Sequence, residues 1–437
     1  MENLAQNFTT KWNFALARCS TAEWLGIWIG IIMPVISALV YPTYMHSMQT
    51  PGVEWSRLLE APFVLCEIVV ILWASRRGMD STRMWLSLPI DIKIASAFLI
   101  FGVFASSLFA SEYPVRSITI AIITAIHLLF ALSIFHLLRR PSVQSYRPFI
   151  MLLGGGLITL AALTFWRFAL PPPASMVPGD VIEWGSALPG FISVRHFGSW
   201  TGAVAAGFLA MLLLGEEKSR GSWIHGLYFL SAAMTVWSGT RAAILAMVVT
   251  AVILVTANRK LPTIRTIGVT VMLTGGAMTA AWVLLPYDDP TFRLFTSSDA
   301  VTASAMSGGR LDLWAATFQK WQTAPVLGLG SGSTFWEVYI GWPHTQPHNA
   351  LLQFLISWGI VGAVSALWLL GRALANVHDV AVRNASLLPM LAILYALLIM
   401  SLLEGMLHYP RFIMLIIFIF AAIMAHDATC REAPSPS

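Results

Sequence analysis

The feature that most restricts this chain is a series of apolar runs, each about twenty residues long, joined by shorter polar segments. A run of that length crosses a ~30 Å hydrocarbon layer as a helix, because each backbone N–H and C=O is then bonded within its own segment. Twelve runs are discernible, near residues 24–45, 61–75, 90–110, 117–137, 149–170, 198–214, 223–238, 242–257, 264–285, 350–371, 386–402 and 412–426. None alternates apolar and polar residues, as a membrane β-barrel strand must. Only 11% of residues are charged, against about 25% in a soluble domain. The expected fold class is all-α: a polytopic membrane protein of about 12 transmembrane helices with one large external loop.

Three segments follow from this pattern. Residues 1–285 carry the first nine spans and short loops, 286–349 form the long polar loop, and 350–437 carry the last three spans and a tail. Residues 1–23 are mostly polar and the first apolar run is too long for a signal core, so no cleavable signal is expected. Cys19, Cys66 and Cys430 offer neither a disulfide framework nor metal-ligand spacing. Isolated His127 and His136 read as packing groups, and no metal site is expected.

Orientation follows the Lys and Arg of the short loops. With the amino terminus in the cytoplasm, seventeen of the 26 basic residues fall on the cytoplasmic side and nine on the other. Eight of those nine are arginines, and arginine presents a planar fork that matches phosphate oxygens. Arg195 ends one outer interval. Arg241 lies in the tight turn Ser238-Gly239-Thr240-Arg241, where it must reach outward, pair with a carboxylate such as Glu404, or bind an anion. Arg411, at the mouth of the last span, reads as an interface anchor.

In the long loop, Arg310 opens a stretch in which Trp314, Phe318 and Trp321 recur at helical spacing, the mark of an interfacial helix. The turn-forming Pro325-x-x-Gly328-x-Gly330 can bring backbone close to a ligand. The loop ends in His344-Thr-Gln-Pro347-His348-Asn349, directly before the tenth apolar run. Asn349 is a good helix cap, and Gly359 and Gly362 allow a bend or close packing. His348 then stands at a helix amino terminus, whose partial positive charge disfavours imidazolium and favours the neutral form a general base requires. An interfacial histidine is otherwise a cap or a lipid-facing polar group.

These residues together resemble the O-antigen ligase and polymerase superfamily of bacterial envelopes, through Arg310-x-x-x-Trp314, Pro325-x-x-Gly328-x-Gly330, His348-Asn349-x-x-Leu352-x6-Gly359-x-x-Gly362, and the Ser238-Gly-Thr-Arg241 turn. The resemblance, closest to the ligases, implies a membrane-embedded glycosyltransferase. It would move a polysaccharide from undecaprenyl pyrophosphate to a lipid A–core sugar hydroxyl, with no metal, cofactor or nucleic acid. It implies the bacterial inner membrane, cytoplasmic termini and a periplasmic loop carrying part of the site. His348 would be the base, Arg241, Arg310 and Arg195 would hold the pyrophosphate, and Asn349 and Trp314 would support them. A polymerase using the same donor, or a 12-span secondary transporter, would share the layout.

Overall fold

The computed structural model describes residues 21–36, 61–139, 146–169, 191, 194–215, 221–285, 309–332, 339–340, 342–343 and 346–432. His344 and residues 286–308 of the long loop lie outside them. The helices in chain order are α1 (Thr21–Ile27, continued by the π-turn Trp28–Ile32), α2 (Ala61–Arg76), α3 (Ser81–Leu86), α4 (Ile90–Ala105), α5 (Pro114–Leu138), α6 (Arg147–Ala169) and α7 (Val194–Leu214). They continue with α8 (Ser222–Trp237), α9 (Arg241–Asn258), α10 (Ile264–Val283), α11 (Arg310–Trp321), α12 (Ala350–Arg383), α13 (Leu388–Ser401) and α14 (Pro410–Glu432).

Each of the twelve expected runs overlaps one of these helices, the first of them described only as far as Ile36. Among the described residues, eight helices are long and apolar enough to cross a membrane. Those falling short are α1, α2, α8 and α13. At 1.5 Å per residue, the 16 residues of α2 reach about 24 Å, below the ~30 Å of the hydrocarbon layer. Of the twelve expected spans, the described residues thus give eight on length and composition.

The core is built on α7, which packs against α8, α9 and α13. Its sequence is rich in small residues, among them Gly198, Ser199, Thr201, Gly202 and Ala203, so neighbouring backbones can approach closely. At the other extreme, α10 leaves Val271, Met272 and Trp282 exposed, the surface a helix turns to lipid.

α12 is a broken helix. Gly359 has φ +58° and ψ −165° inside its 34 residues, so a nine-residue segment, 350–358, precedes a longer one. The freed backbone groups must be paired elsewhere. The Pro325–Gly330 stretch supplies the partners. Leu329 and Gly330 donate to the carbonyls of Ile356 (2.8 Å) and Ser357 (3.0 Å), while Ile360 donates to Pro325 O (2.9 Å). A Cβ on Gly359 would overlap the Val326 carbonyl. The sequence expectation is that this stretch can bring backbone close to a ligand; the close approach seen is to helix backbone, with the Leu329 and Gly330 N–H groups used on the break in α12.

Candidate active site

Residues 346–349 are held by three anchors. Gln346 is buried and its Nε2 lies 3.4 Å from the Tyr409 hydroxyl. Trp314 Nε1 donates to the Pro347 carbonyl at 2.9 Å. Asn349 caps α12, its Oδ1 accepting from Leu351 N (3.0 Å) and Leu352 N (3.1 Å), and its Nδ2 donates to Leu402 O (3.2 Å). Between these anchors His348 adopts φ +54°. A side-chain-bearing residue there is strained by about 1–3 kcal/mol, and such strain concentrates at functional sites. Asn349 and Trp314, expected to support the site, thus hold the chain on either side of His348.

His348 Nδ1 faces Glu404 Oε2 at 3.5 Å. Glu404 lies in the short segment between α13 and α14 and is buried. Its other oxygen accepts from Nη2 of Arg310, the first residue of α11. Burial opposes the Glu404 charge, but the facing His348 ring and the Arg310 guanidinium outweigh this and hold its carboxyl at about 2. Glu404 therefore stays an acceptor at neutral pH, and an ionised carboxylate can only accept. It favours the tautomer with the proton on Nδ1, which leaves Nε2 as the basic nitrogen. The sequence offered Glu404 only as a partner for Arg241; its partners are Arg310 and His348. An acid between two apolar runs, Leu402-Leu403-Glu404-Gly405, was the available signal.

Arg241 is exposed at the first position of α9. A cation is poorly placed at a helix amino terminus, whereas an anion there meets both backbone dipoles and guanidinium. The turn before it is tightly organised. Ser238 Oγ donates to Thr235 O (2.6 Å) and Thr240 Oγ1 (2.9 Å), and Gly239 takes φ +64°. Arg195, on the first turn of α7, donates Nη1 to the carbonyls of Ser238 (3.0 Å) and Gly239. Arg195 thus braces the turn that carries Arg241.

Arg411 is corrected. Rather than anchoring at the interface, it is buried, its guanidinium carbon 4.6 Å from the Phe63 ring centre and 4.1 Å from that of Phe191. Cation–π attraction is strongest where water is excluded. His196 is also buried, its ring 4.3 Å from that of Tyr409. His127 and Glu67 form a buried pair at 2.6 Å. An apolar cavity of about 700 Å³ runs along α5 from Ile120 to Arg139, between α12 and α14, and reaches Gln353, Ser357 and His408 at one end. Among the described residues, no group of three His, Cys, Asp or Glu side chains is arranged to hold a metal ion.

Residues 226–367 match the family model described as O-antigen ligase. The chain carries an O-antigen ligase family domain. No curated protein and no solved structure gives a significant match. The O-antigen ligase match takes in Arg241, Arg310, Trp314, His348 and Asn349. Arg195 and Glu404 lie outside it, so the carboxylate that joins Arg310 to His348 comes from chain beyond the matched O-antigen ligase segment.

Proposed function

We propose that this protein is an O-antigen ligase that transfers a polysaccharide from undecaprenyl pyrophosphate to a sugar hydroxyl of lipid A–core. The observation that carries the reading is the Glu404 carboxylate shared between Arg310 and His348. It joins a cation suited to a phosphate with a histidine suited to act as base. The same reading has twelve spans in the bacterial inner membrane, both termini cytoplasmic, and the site at the periplasmic surface.

His348 Nε2 takes the proton of the acceptor hydroxyl as that oxygen attacks the anomeric carbon. A positioned base contributes about 10²–10⁴-fold. Glu404 stabilises the imidazolium that forms. The bond that breaks joins the anomeric carbon to the pyrophosphate, whose negative charge grows as it leaves. Arg241 and the remaining donors of Arg310 meet that charge, stabilising the transition state more than the ground state. Arg195 acts through the turn it braces. With guanidinium groups in this role, the reaction is proposed to need no metal. The apolar cavity suits the prenyl chain of the donor. One base acting on the nucleophile, opposite the leaving group, leads to single displacement with inversion.

The test is reconstitution of the full chain with lipid-linked polysaccharide and lipid A–core. Ligated product of inverted anomeric configuration by NMR is expected, and EDTA should leave the rate unchanged. Extension of the polysaccharide on its lipid carrier, with no ligated product, would mean a polymerase. Substrate flux without transfer would mean a transporter.

A further inference from the structure

Gln346 is a polar side chain in an unusual place. It is 3% exposed, two residues before His348, and its amide lies against Gly405, the residue after Glu404. A Cβ added to Gly405 would overlap the Gln346 amide. The same amide donates towards the Tyr409 hydroxyl at 3.4 Å. Tyr409 in turn packs its ring on His196 at 4.3 Å. The chain entering His348 and the chain leaving Glu404 are therefore in contact through one amide, with no side chain at Gly405 to part them.

We propose that Gln346 is a positioning residue: its buried amide, seated on Gly405 and tied to Tyr409, sets the separation between Glu404 and His348. This rests on the reading of His348 as the base. The carboxylate stands 3.5 Å from Nδ1, a separation at which a few tenths of an ångström decide between a hydrogen bond and none. Bulk alone would not define it, because an apolar side chain could slide over Gly405. The amide is fixed at two points, by its close contact with Gly405 and by Tyr409. Among the described residues, the charged and titratable groups around this centre include Glu404 from the α13–α14 segment, Arg310 from α11, and His196 from α7, which is within electrostatic reach of Glu404, His348, His408 and Arg411. Gln346 is uncharged, so its effect works through distance.

The consequence is a tautomer. With Glu404 in place, His348 carries its proton on Nδ1; with the two parted, the proton distributes over both nitrogens and Nε2 is no longer a uniform base. Full-length protein in nanodiscs, labelled with ¹⁵N-histidine, reports this from the His348 nitrogen shifts without any turnover. Gln346→Ala, the volume-keeping Gln346→Met, and Gly405→Ala should each move His348 towards mixed tautomers. Each should lower kcat about tenfold, equal to about 1.4 kcal/mol, with a much smaller change in donor KM. The double variant Gln346→Ala/Gly405→Ala should lose less than the product of the singles, because removing the amide makes room for the new Cβ.

Wild-type tautomer and wild-type kcat in folded Gln346→Met would overturn the proposal. So would equal losses in kcat, KM and thermal stability with the tautomer unchanged, which is the signature of packing alone. A tautomer change in a protein that transfers no polysaccharide, even as wild type, would sustain the positioning role and remove the ligase reading.

Discussion

Glu404 stands with one carboxylate oxygen 3.5 Å from Nδ1 of His348 while the other is bound by Arg310. The acid and the histidine sit on different segments, one between α13 and α14 and the other at the start of α12. Their meeting makes the proposed base and the Arg310 cation a single unit, so a change at one is felt at the other.

Replacing the proposed base should be the most damaging change. His348→Ala is expected to lower transfer by about 10²–10⁴-fold while the folded protein still binds the lipid-linked donor. Rate measurement beside donor binding in detergent checks this. Wild-type turnover would end the assignment.

Acid should unfold the protein partly through Glu404. Its carboxyl is held at about 2 against an ordinary 4.5. A lowered carboxylate contributes stability that is complete above the ordinary value and is lost as pH falls through the folded one. The thermal transition should therefore drop between about pH 4.5 and 2, and Glu404→Gln should flatten that drop. The same variant should slow transfer at neutral pH, since it leaves both Arg310 and His348 without their anion.

At Arg241 the expected loss is in donor binding and turnover together. A guanidinium–phosphate hydrogen bond is worth about 1.5–3 kcal/mol, or roughly 10–150-fold. Arg241→Ala should lose about that much in kcat/KM, and Arg241→Lys part of it, because lysine keeps the charge without the fork.

Arg195 should behave as the brace of the Arg241 turn. Arg195→Ala removes donors to Ser238 and Gly239 carbonyls and should lower stability by about 1–3 kcal/mol. Its effect on donor binding should not add to that of Arg241→Ala. Kinetics on both singles and the double variant give the coupling directly.

The break in α12 gives a contrast between two glycines of one helix. Gly359 combines φ +58° with backbone contact, whereas a Cβ on Gly371 would meet nothing within 4 Å. Gly359→Ala should destabilise by more than about 1 kcal/mol, and Gly371→Ala should be neutral or stabilising by up to about 1 kcal/mol. Thermal unfolding of the purified variants measures both.

Much of the layout was legible from local pattern. The apolar runs became helices because a segment without water must bond its own backbone. Asn349 capped the helix it precedes, Arg310 opened the amphipathic helix it was read to open, and the turn before Arg241 put that guanidinium at a helix start. These are relations within a few residues, and spacing alone expresses them. The approach of Pro325–Gly330 to the break in α12 was not legible, because a glycine-rich stretch announces close approach without saying to what.

Sequence by itself determined the helices, their caps, and which side chains stand at helix ends, because helical hydrogen bonds close over four residues. Only the tertiary structure decided that Glu404 meets Arg310 across 94 positions, that Arg411 is buried between Phe63 and Phe191, and that Gln346 seats on Gly405. Those pairings depend on how separate helices pack, and packing is a property of the assembled bundle that no local period in the chain records.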